Sequence, residues 1–202
     1  MSDRQPARAI RFHPWVGSRY RSGGPWKRRL LVLGESHYSG NKREPRTLTQ
    51  DLTLGYIHGR HSHPFWTRTA QVVTGEPVDR LDRSGFWNSV AFHNYVQEIV
   101  ARSPRRAPTA DAWRRSEQPF HEVLRALKPD VILVLGVRLW SWLPDTGRNE
   151  SPITMDSRER DCYSYPTARG RRAMATFINH PSSFGFRWQD WHPVVERLLV
   201  SP

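Results

Sequence analysis

The chain has 202 residues, of which 37% are hydrophobic, and its formal net charge at pH 7 is +12. This length suits one domain, or at most two, with a core that needs no covalent cross-links. The single cysteine, Cys162, excludes a disulfide within the chain and a four-cysteine metal or iron–sulfur site. No apolar run approaches the roughly 18 residues of a membrane span, and the first residues lack the apolar core of a signal peptide. We therefore expect a cytoplasmic, monomeric protein without membrane contact.

Short apolar runs alternate with amphipathic stretches along the chain, and this alternation predicts an α/β fold. Residues 1–28, which are basic and rich in Gly, Pro and Trp, are expected to form an irregular arm, and residues 29–202 a single domain. In chain order, the pattern predicts a strand at 30–33, helices at 48–56 and 65–73, a strand at 89–92, a basic connector at 102–118, a helix at 119–127, a strand at 131–135, a short helix at 139–143, an irregular excursion at 144–170, a strand at 172–178 and a helix at 194–200. Near-continuous apolar strands alternating with helices indicate a parallel sheet covered on both faces. The expected architecture is a three-layer α/β/α sandwich with a central four-stranded parallel sheet.

Two of the predicted strands stop abruptly in residues capable of chemistry. The apolar run 30–34 is followed by the polar segment 35–38, Glu-Ser-His-Tyr, and the last predicted strand is followed closely by His180. In open α/β sheets, ligands bind in the crevice beyond the carboxyl ends of the strands. We therefore expect the side chains of 35–38 and His180 to share one crevice.

The charge balance indicates a polyanionic partner. Lys and Arg number 31 against 19 Asp and Glu, and the chain holds nine Trp. Lys and Arg neutralise phosphates, and aromatic faces stack on unpaired bases, so nucleic acid is the favoured partner. A membrane surface or an acidic protein would also match this charge, and a merely solvated surface is the plainest interpretation.

The sequence predicts no cofactor. It contains neither a Walker phosphate-binding loop nor a GxGxxG dinucleotide motif. His58, His61 and His63 are closely spaced and are residues that zinc binds well, but no helix or strand period places all three on one face. We therefore predict no metal site.

Four segments, taken in order, resemble those of one enzyme family. The segment 34–38 (GESHY) resembles motif A of the uracil-DNA glycosylase superfamily, and 180–182 (HPS) resembles its motif B. Between them, 92–94 (FHN) resembles the strand-end Asn segment of the single-strand-selective monofunctional branch. The segment 127–136 (LKPDVILVLG) resembles the superfamily's leucine-rich helix, proline, buried strand and glycine. The likeness extends from about residue 30 to 191 and suggests a divergent member without an iron–sulfur cluster.

The resemblance implies a monofunctional enzyme that extrudes a nucleotide from DNA and hydrolyses the bond between base and deoxyribose. By position, Glu35 and His37 would hold or activate the attacking water. His180 would face the carbonyl oxygen of the base, where a neutral imidazole can donate a hydrogen bond. Asn94, with Asn88 as a weaker alternative, would read the base edge.

Further contacts to DNA are implied by position in the same way. The other predicted substrate-binding residues are Gly34, Ser36, Tyr38, Phe65 (or Trp66 in its place) and Ser182. An enzyme that extrudes a base often fills the gap with an apolar or arginine side chain. The candidates for this wedge, just after motif B, are Phe184, Phe186 and Arg187.

The chain departs from the family pattern in three ways. His37 replaces a proline, the usual aspartate of motif A is missing, and residues 183–187 differ from the common wedge loop. The excised base is therefore open: uracil is the family default, and a deaminated or hypermodified base, such as one in phage DNA, also fits. DNA repair and defence against phage, and single- and double-stranded DNA, are all consistent with these residues.

Each candidate residue also has a purely structural explanation. His180 would cap the turn before Pro181, Glu35 would form a surface ion pair, Asn94 would make an Asx turn and Phe65 would pack in the core. Two other functions fit the same sequence. One is a nucleic-acid-binding module that retains the fold without catalysis, and the other is a hydrolase of small nucleosides.

Overall fold

The computed structural model describes residues 9–41, 43–102, 106–155 and 158–201. The described chain contains the strands β1 (Trp15–Val16), β2 (Leu30–Gly34), β3 (His37–Tyr38), β4 (Ala91–Asn94), β5 (Ile99–Ala101), β6 (Val131–Leu135), β7 (Arg148–Met155), β8 (Arg158–Ala168) and β9 (Arg171–Ile178). Its α-helices are α1 (Leu48–Ile57), α2 (Pro64–Thr74), α3 (Arg83–Trp87), α4 (Ala110–Arg115), α5 (Glu117–Leu127), α6 (Val137–Ser141) and α7 (His192–Val200). Short 3₁₀ helices lie at Tyr20–Ser22, Gly24–Trp26 and Trp188–Asp190.

Four parallel strands form the centre of the main sheet, in the order β4-β2-β6-β9. Both β2 and β6 are five residues long and are buried along their whole length. Strands buried on both faces need a continuous apolar sequence, which is why the runs LLVL and VILVL predicted them. The α/β class and the parallel core are thus as predicted.

The sheet itself is larger than predicted, because it is mixed and has seven strands rather than four parallel ones. At one side β1 pairs antiparallel with β4, and at the other the β7–β8 hairpin extends the sheet antiparallel to β9. The prediction of an irregular segment at 144–170 is therefore wrong. Most residues of β7 are exposed and two, Arg148 and Glu150, are charged, so this strand lacks the apolar signal of a buried one.

The strand predicted at 89–92 lies two residues later, at Ala91–Asn94. Its register pairs Leu33 with His93 and Gly34 with Asn94, so both polar residues belong to the sheet. Polar side chains weaken the apolar pattern of a strand, and they are tolerated inside only when they find hydrogen-bond partners. The shift moves Asn94 from a loop into the buried sheet.

Apolar side chains pack against both faces of the main sheet. Leu30 and Val32 contact one cluster, which includes residues of α1, α2, α3 and α7. Leu31 and Leu33 contact a second cluster, which includes residues of α4, α5 and α6. This division follows from the period of two along a strand. None of the helices in the described part of the chain is long and apolar enough to cross a membrane.

Helix boundaries differ from the prediction by about two residues. The helix predicted from Pro119 begins at Glu117, and the helix predicted at 139–143 begins at Val137. Part of the predicted connector at 102–118 forms α4, whose N-cap Thr109 accepts a hydrogen bond from the Ala112 amide. Such boundary shifts are small, but the shift at α6 places Arg138 inside the helix rather than before it.

The described part of the N-terminal arm, residues 9–28, packs against the domain. Phe12 and Tyr20 are fully buried. The Trp15 indole Nε1 donates to the Trp87 carbonyl oxygen at 2.7 Å, next to the point where β1 joins the sheet. The remainder of the arm, residues 1–8, lies outside the described residues. This part of the predicted irregular arm therefore contains a strand and contributes core side chains.

Candidate active site

The four parallel strands end at one side of the main sheet, which we call the carboxyl edge. Glu35 directly follows β2, Arg138 is the second residue of α6 after β6, and His180 follows β9. Because β6 lies between β2 and β9, Arg138 is placed between the other two. With neighbouring strands about 4.8 Å apart, the backbones of Glu35 and His180 are roughly 10 Å from each other.

Glu35 and Arg138 form a two-pronged ion pair across this edge. Arg138 Nε donates to Glu35 Oε2 at 2.8 Å, and Nη2 donates to Oε1 at 2.6 Å. The Glu35 side chain is only 11% exposed, whereas that of Arg138 is 47% exposed. The hydrogen bond to Glu35 is the main cause that raises the pKa of Arg138. The fork geometry fixes the plane of the carboxylate and occupies both of its oxygens.

Sequence reasoning missed Arg138. The signal was present, because Arg138 stands two residues after a glycine that closes the most apolar strand of the chain. The prediction placed α6 two residues too late, so Arg138 was left in a turn. Gly136 at this turn has a φ of +123°, a conformation that glycine adopts without strain.

The His180 imidazole is largely buried beside this ion pair. Its Nδ1 accepts a hydrogen bond from the Ser182 backbone N–H at 3.1 Å. Burial is the main cause that lowers the pKa of His180, with Arg138 and His63 acting in the same direction and Glu35 against it. A neutral ring whose Nδ1 accepts must carry its proton on Nε2. No hydrogen bond from Nε2 is found among the residues that the structure describes.

Neighbouring residues hold the His180 loop in place. The Phe65 ring stacks on the imidazole, with centroids 5.4 Å apart and an interplanar angle of 28°. Arg68 Nη1 donates to the Pro181 carbonyl oxygen at 2.9 Å. The Gly136 backbone N–H donates to the Ile178 carbonyl oxygen at 2.9 Å. The loop is thus fixed by α2 on one side and by the start of α6 on the other.

His37 and Asn94 meet inside the domain rather than at its surface. The Asn94 amide nitrogen lies 3.2 Å from both ring nitrogens of His37, and His37 Nε2 lies 2.8 Å from Thr49 Oγ1. Because the amide nitrogen is equally far from both ring nitrogens, it lies over the face of the imidazole, and the Thr49 hydroxyl, which can donate or accept, satisfies Nε2 in either tautomer. The two side chains belong to residues that are 4% and 6% exposed. Burial lowers the pKa of His37 to about 4.

A second buried histidine lies next to this pair. His93 is fully buried, and its Nε2 lies 3.2 Å from Gln97 Nε2, while its Nδ1 has no partner among the described residues. Burial, with a smaller contribution from His37, lowers the pKa of His93 to about 3. Gln97 also donates to the Asn94 carbonyl oxygen at 2.7 Å and accepts from the Phe12 amide at 2.9 Å. The arm and β4 are thereby joined through one polar network.

The other predicted substrate contacts have different environments. Gly34 is needed for close packing, because a Cβ there would lie 2.2 Å from Asn94 Oδ1. The Ser36 hydroxyl is buried without a hydrogen-bond partner in the described chain. Tyr38 donates from its hydroxyl to the Arg106 carbonyl oxygen at 3.1 Å. Ser182 is exposed and acts on His180 through its backbone.

The three wedge candidates separate into exposed and buried residues. Phe184 is fully exposed, and Gly185 after it has a φ of +71°. Phe186 is only 9% exposed and belongs to the apolar cluster with α2 and α7, so it does not share the surface with Phe184. The Arg187 side chain is 72% exposed and lies 3.8 Å from Asp190. The loop therefore exposes Phe184 and Arg187 to solvent.

The alternative residues have structural contacts of their own. Within the described residues, no group of three or more His, Cys, Asp and Glu is arranged to hold a metal. His61 Nε2 lies 2.8 Å from the Leu52 carbonyl oxygen, and His63 Nδ1 accepts from the Phe65 amide at the start of α2. Trp66 is buried in the core, and Asn88 Nδ2 donates to Ser84 Oγ at 3.2 Å.

A wide groove of about 730 Å³ lies away from the carboxyl edge. Its walls come from the 3₁₀ helices of the arm, the end of α2 and α3, and include Trp26 and Phe86. Neither Glu35 nor His180 lines it. The groove is therefore separate from the candidate active site.

The chain matches no protein-family model and no curated protein. The likeness to the uracil-DNA glycosylase superfamily thus depends on the four short segments and stays a prediction.

Proposed function

We propose that this protein is a monofunctional DNA glycosylase with a three-layer α/β/α fold of the uracil-DNA glycosylase type. The observation that carries the proposal is the hydrogen bond from the Ser182 amide to His180 Nδ1, which leaves Nε2 of a neutral ring as a donor that no described residue binds. This ring lies on the same edge of the sheet as the Glu35 carboxylate, which acts on it electrostatically. A preorganised neutral donor and a carboxylate on one edge are the groups that cleavage of an N-glycosidic bond requires.

His180 stabilises the departing base in this mechanism. Cleavage of the bond between base and sugar develops negative charge on the base and positive charge on the sugar. An Nε2–H placed at the base carbonyl oxygen donates to that growing charge without needing to reorganise. The donated hydrogen bond strengthens because negative charge grows on the carbonyl oxygen that accepts it. Loss of one such donor lowers rates by about 100- to 1000-fold in other enzymes.

Glu35 orients the water that attacks the sugar and accepts the proton that this water loses, while the base leaves as an anion and takes a proton from solvent. Arg138 controls the availability of the Glu35 carboxylate. In the free protein both Glu35 oxygens are occupied by the guanidinium fork. Arg138, which is half exposed, turns towards a phosphate of the bound strand and releases one carboxylate oxygen to the water. His37 orients Asn94 rather than the water in this scheme, because its ring is buried between Thr49 and Asn94.

The distribution of lysines supports a monofunctional enzyme. A glycosylase that also cleaves the strand forms a Schiff base between the sugar and an amine. Lys27 and Lys128 precede β2 and β6, so they lie at the opposite edge from His180. The remaining lysine, Lys42, is outside the described residues. Water is therefore the proposed nucleophile.

The proposal is tested by base release from oligonucleotides that carry single uracil, hypoxanthine or hypermodified cytosine, followed by alkali cleavage at abasic sites. We expect cleavage with at least one of these substrates, and its identity distinguishes repair from defence. Glu35→Gln and His180→Asn should each lower the rate at least 100-fold. Glu150→Gln is the matched control, since Glu150 also pairs with an arginine, Arg148, but on the β7–β8 hairpin. No cleavage on any substrate would contradict the proposal.

A non-catalytic nucleic-acid-binding module is the second candidate. It is favoured by the arginine fork on Glu35 and by the mutual contact of His37 and Asn94, since both arrangements leave these groups satisfied without a substrate. This alternative predicts salt-sensitive DNA binding, no base release by the natural chain, and no effect of Glu35→Gln on binding.

A further inference from the structure

Positive charge is concentrated at the side of the main sheet where the parallel strands begin, which we call the amino edge. Leu30 pairs with Val131, and Val131 pairs with Met174, so β2, β6 and β9 are in register. Lys27, Lys128 and Arg171 each stand three residues before one of these partners. The sheet therefore brings three cations from distant parts of the sequence to one edge.

Further cations lie beside these three. Arg125 is exposed one turn before Lys128 on α5. Arg28 acts electrostatically on Asp130, and Arg21 on Tyr20, whose hydroxyl lies 3.4 Å from the Leu127 carbonyl oxygen. We call this set the amino-edge patch; its members are Arg21, Lys27, Arg28, Arg125, Lys128 and Arg171.

Asp130, the carboxylate beside the patch, already forms an ion pair with Arg29. Asp130 accepts from Arg29 at both oxygens, at 2.5 Å from Nη2 and 3.1 Å from Nε, and also from the Arg29 backbone N–H at 2.8 Å. Asp130 and Arg29 thus neutralise each other. Among the residues that the structure describes, no ion pair joins any member of the patch to an acidic side chain. The patch therefore presents positive charge that forms no ion pair in the described chain, with Glu76 and Asp82 lining the same groove as Lys27, and Glu117 near Arg125.

Two members of the patch occupy a backbone conformation that favours glycine. Lys27 and Lys128 have φ values of 55° and 51°, and they are the non-glycine residues with positive φ in the described chain. Each ends a helix, Lys27 the 3₁₀ helix at Gly24–Trp26 and Lys128 helix α5. Glycine at either position would relieve strain. The helix dipole favours a cation in the last turn of a helix. It does not explain why lysine, rather than glycine, occupies a position with positive φ.

We propose that the amino-edge patch binds the phosphate backbone of nucleic acid, as a surface separate from the carboxyl edge. A strand of five residues at about 3.3 Å each places the two edges roughly 16 Å apart. A straight duplex on one edge does not contact the other, so the patch binds a second stretch of nucleic acid or a flank bent around the protein. Exposed Arg and Lys without acidic partners match a phosphate chain in charge, and this attraction needs no base recognition.

The salt dependence of binding tests this proposal. The double variant Arg125→Gln/Lys128→Asn removes two patch charges, and Asn is tolerated at positive φ. Arg60→Gln/Arg197→Gln is the matched control, since both of these arginines are exposed and lie outside the patch. The measurement is the affinity for a fluorescent 30-base-pair duplex of ordinary bases from 50 to 200 mM salt.

The patch variant should flatten the slope of log K against log salt by about 1.8, because each phosphate that the protein no longer neutralises reduces the slope by about 0.9. Its decrease in affinity should then be about tenfold greater at 50 mM than at 200 mM, and the control should change less than half as much. Equal slopes in the two variants would overturn the proposal. So would a patch variant that binds the duplex normally but no longer binds poly-glutamate, since the partner would then be an acidic protein. These slopes need no turnover, so a failure of the glycosylase proposal would leave this test intact.

Discussion

At the scale of single residues, the proposed mechanism depends on Arg138, which orients the Glu35 carboxylate. Arg138→Lys keeps the charge but loses the planar fork, and Arg138→Gln loses both. We expect base release in single-turnover experiments to fall about tenfold for Lys and further for Gln. Thermal stability should hardly change, since an ion pair with a half-exposed partner contributes about 0–1 kcal/mol. Unchanged rates in both variants would show that the fork is only structural.

The contact between Gly34 and Asn94 is a second feature of residue scale. A Cβ at Gly34 would lie 2.2 Å from Asn94 Oδ1, and the backbone of β2 is fixed by strands on both sides. Gly34→Ala should therefore lower the free energy of unfolding by about 1–3 kcal/mol in urea titrations. Gly40→Ala is the control, because the nearest atom to its Cβ is Arg102 Nε at 3.6 Å. If the clash is the cause, adding Asn94→Ala to Gly34→Ala should cost less than the two single changes predict.

At the scale of elements, the short helix α6 packs on the sheet through Trp140 and the fully buried Leu139. Trp140 stacks on Tyr163 of β8 at 4.5 Å and on Phe177 of β9 at 4.9 Å. A helix of five residues has little stability of its own, so the position of Arg138 depends on this packing. The β7–β8 hairpin, which lies beyond the predicted sheet, thereby supports the candidate active site.

Trp140→Ala should consequently affect both stability and function. We expect a loss of about 3–5 kcal/mol in the free energy of unfolding, together with slower base release because Arg138 is no longer fixed. Trp142→Ala is the comparison, since Trp142 is 39% exposed and stacks on Trp113 at 5.6 Å. It should cost about 1 kcal/mol and leave catalysis unchanged. Equal effects of the two changes would mean that α6 is not positioned through Trp140.

At the scale of the whole molecule, the sequence predicts the strands that consist of continuous apolar runs. It misses the strands that are specified by pairing with a neighbouring strand. β2 and β6 were predictable because buried parallel strands must be apolar throughout. The β7–β8 hairpin was not, since an exposed edge strand carries charged residues and is specified by its partner. The same limit applies to the site. Glu35 and His180 follow apolar runs, and their common position at the carboxyl edge was predicted, whereas Arg138 follows a misplaced helix boundary and was missed.

The burial of His37 and Asn94 also lay beyond the sequence pattern. Their contact joins a short strand of the smaller sheet to a strand of the main sheet, and Thr49 on α1 completes it. Three polar residues from separate elements cannot be recognised as partners from spacing alone, because tertiary packing brings them together. A polar residue at a strand end was therefore interpreted as open to substrate, while the fold uses it inside.

The two buried histidines make the stability of the whole domain sensitive to acid. Burial lowers the pKa of His37 to about 4 and that of His93 to about 3, while an unfolded histidine titrates near 6.5. Below pH 6.5 the unfolded chain binds protons that the folded chain excludes. The free energy of unfolding therefore decreases as the pH is lowered, until the folded pKa values are reached. Each histidine costs about 1.4 kcal/mol per pH unit in this window, or about 4 kcal/mol for both at pH 5.

Urea unfolding at pH 7.5 and pH 5 should therefore show a marked loss of stability for the natural chain and a smaller one for His37→Asn/His93→Asn. Because His93 is fully buried, this double variant reports on the pH dependence of stability only if it folds. Imidazole chemical shifts of the natural protein provide the independent measurement, and they should show two histidines that stay neutral at pH 5. Two rings that gain protons near pH 6.5 without unfolding would contradict the buried, hydrogen-bonded arrangement of His37, Asn94 and His93.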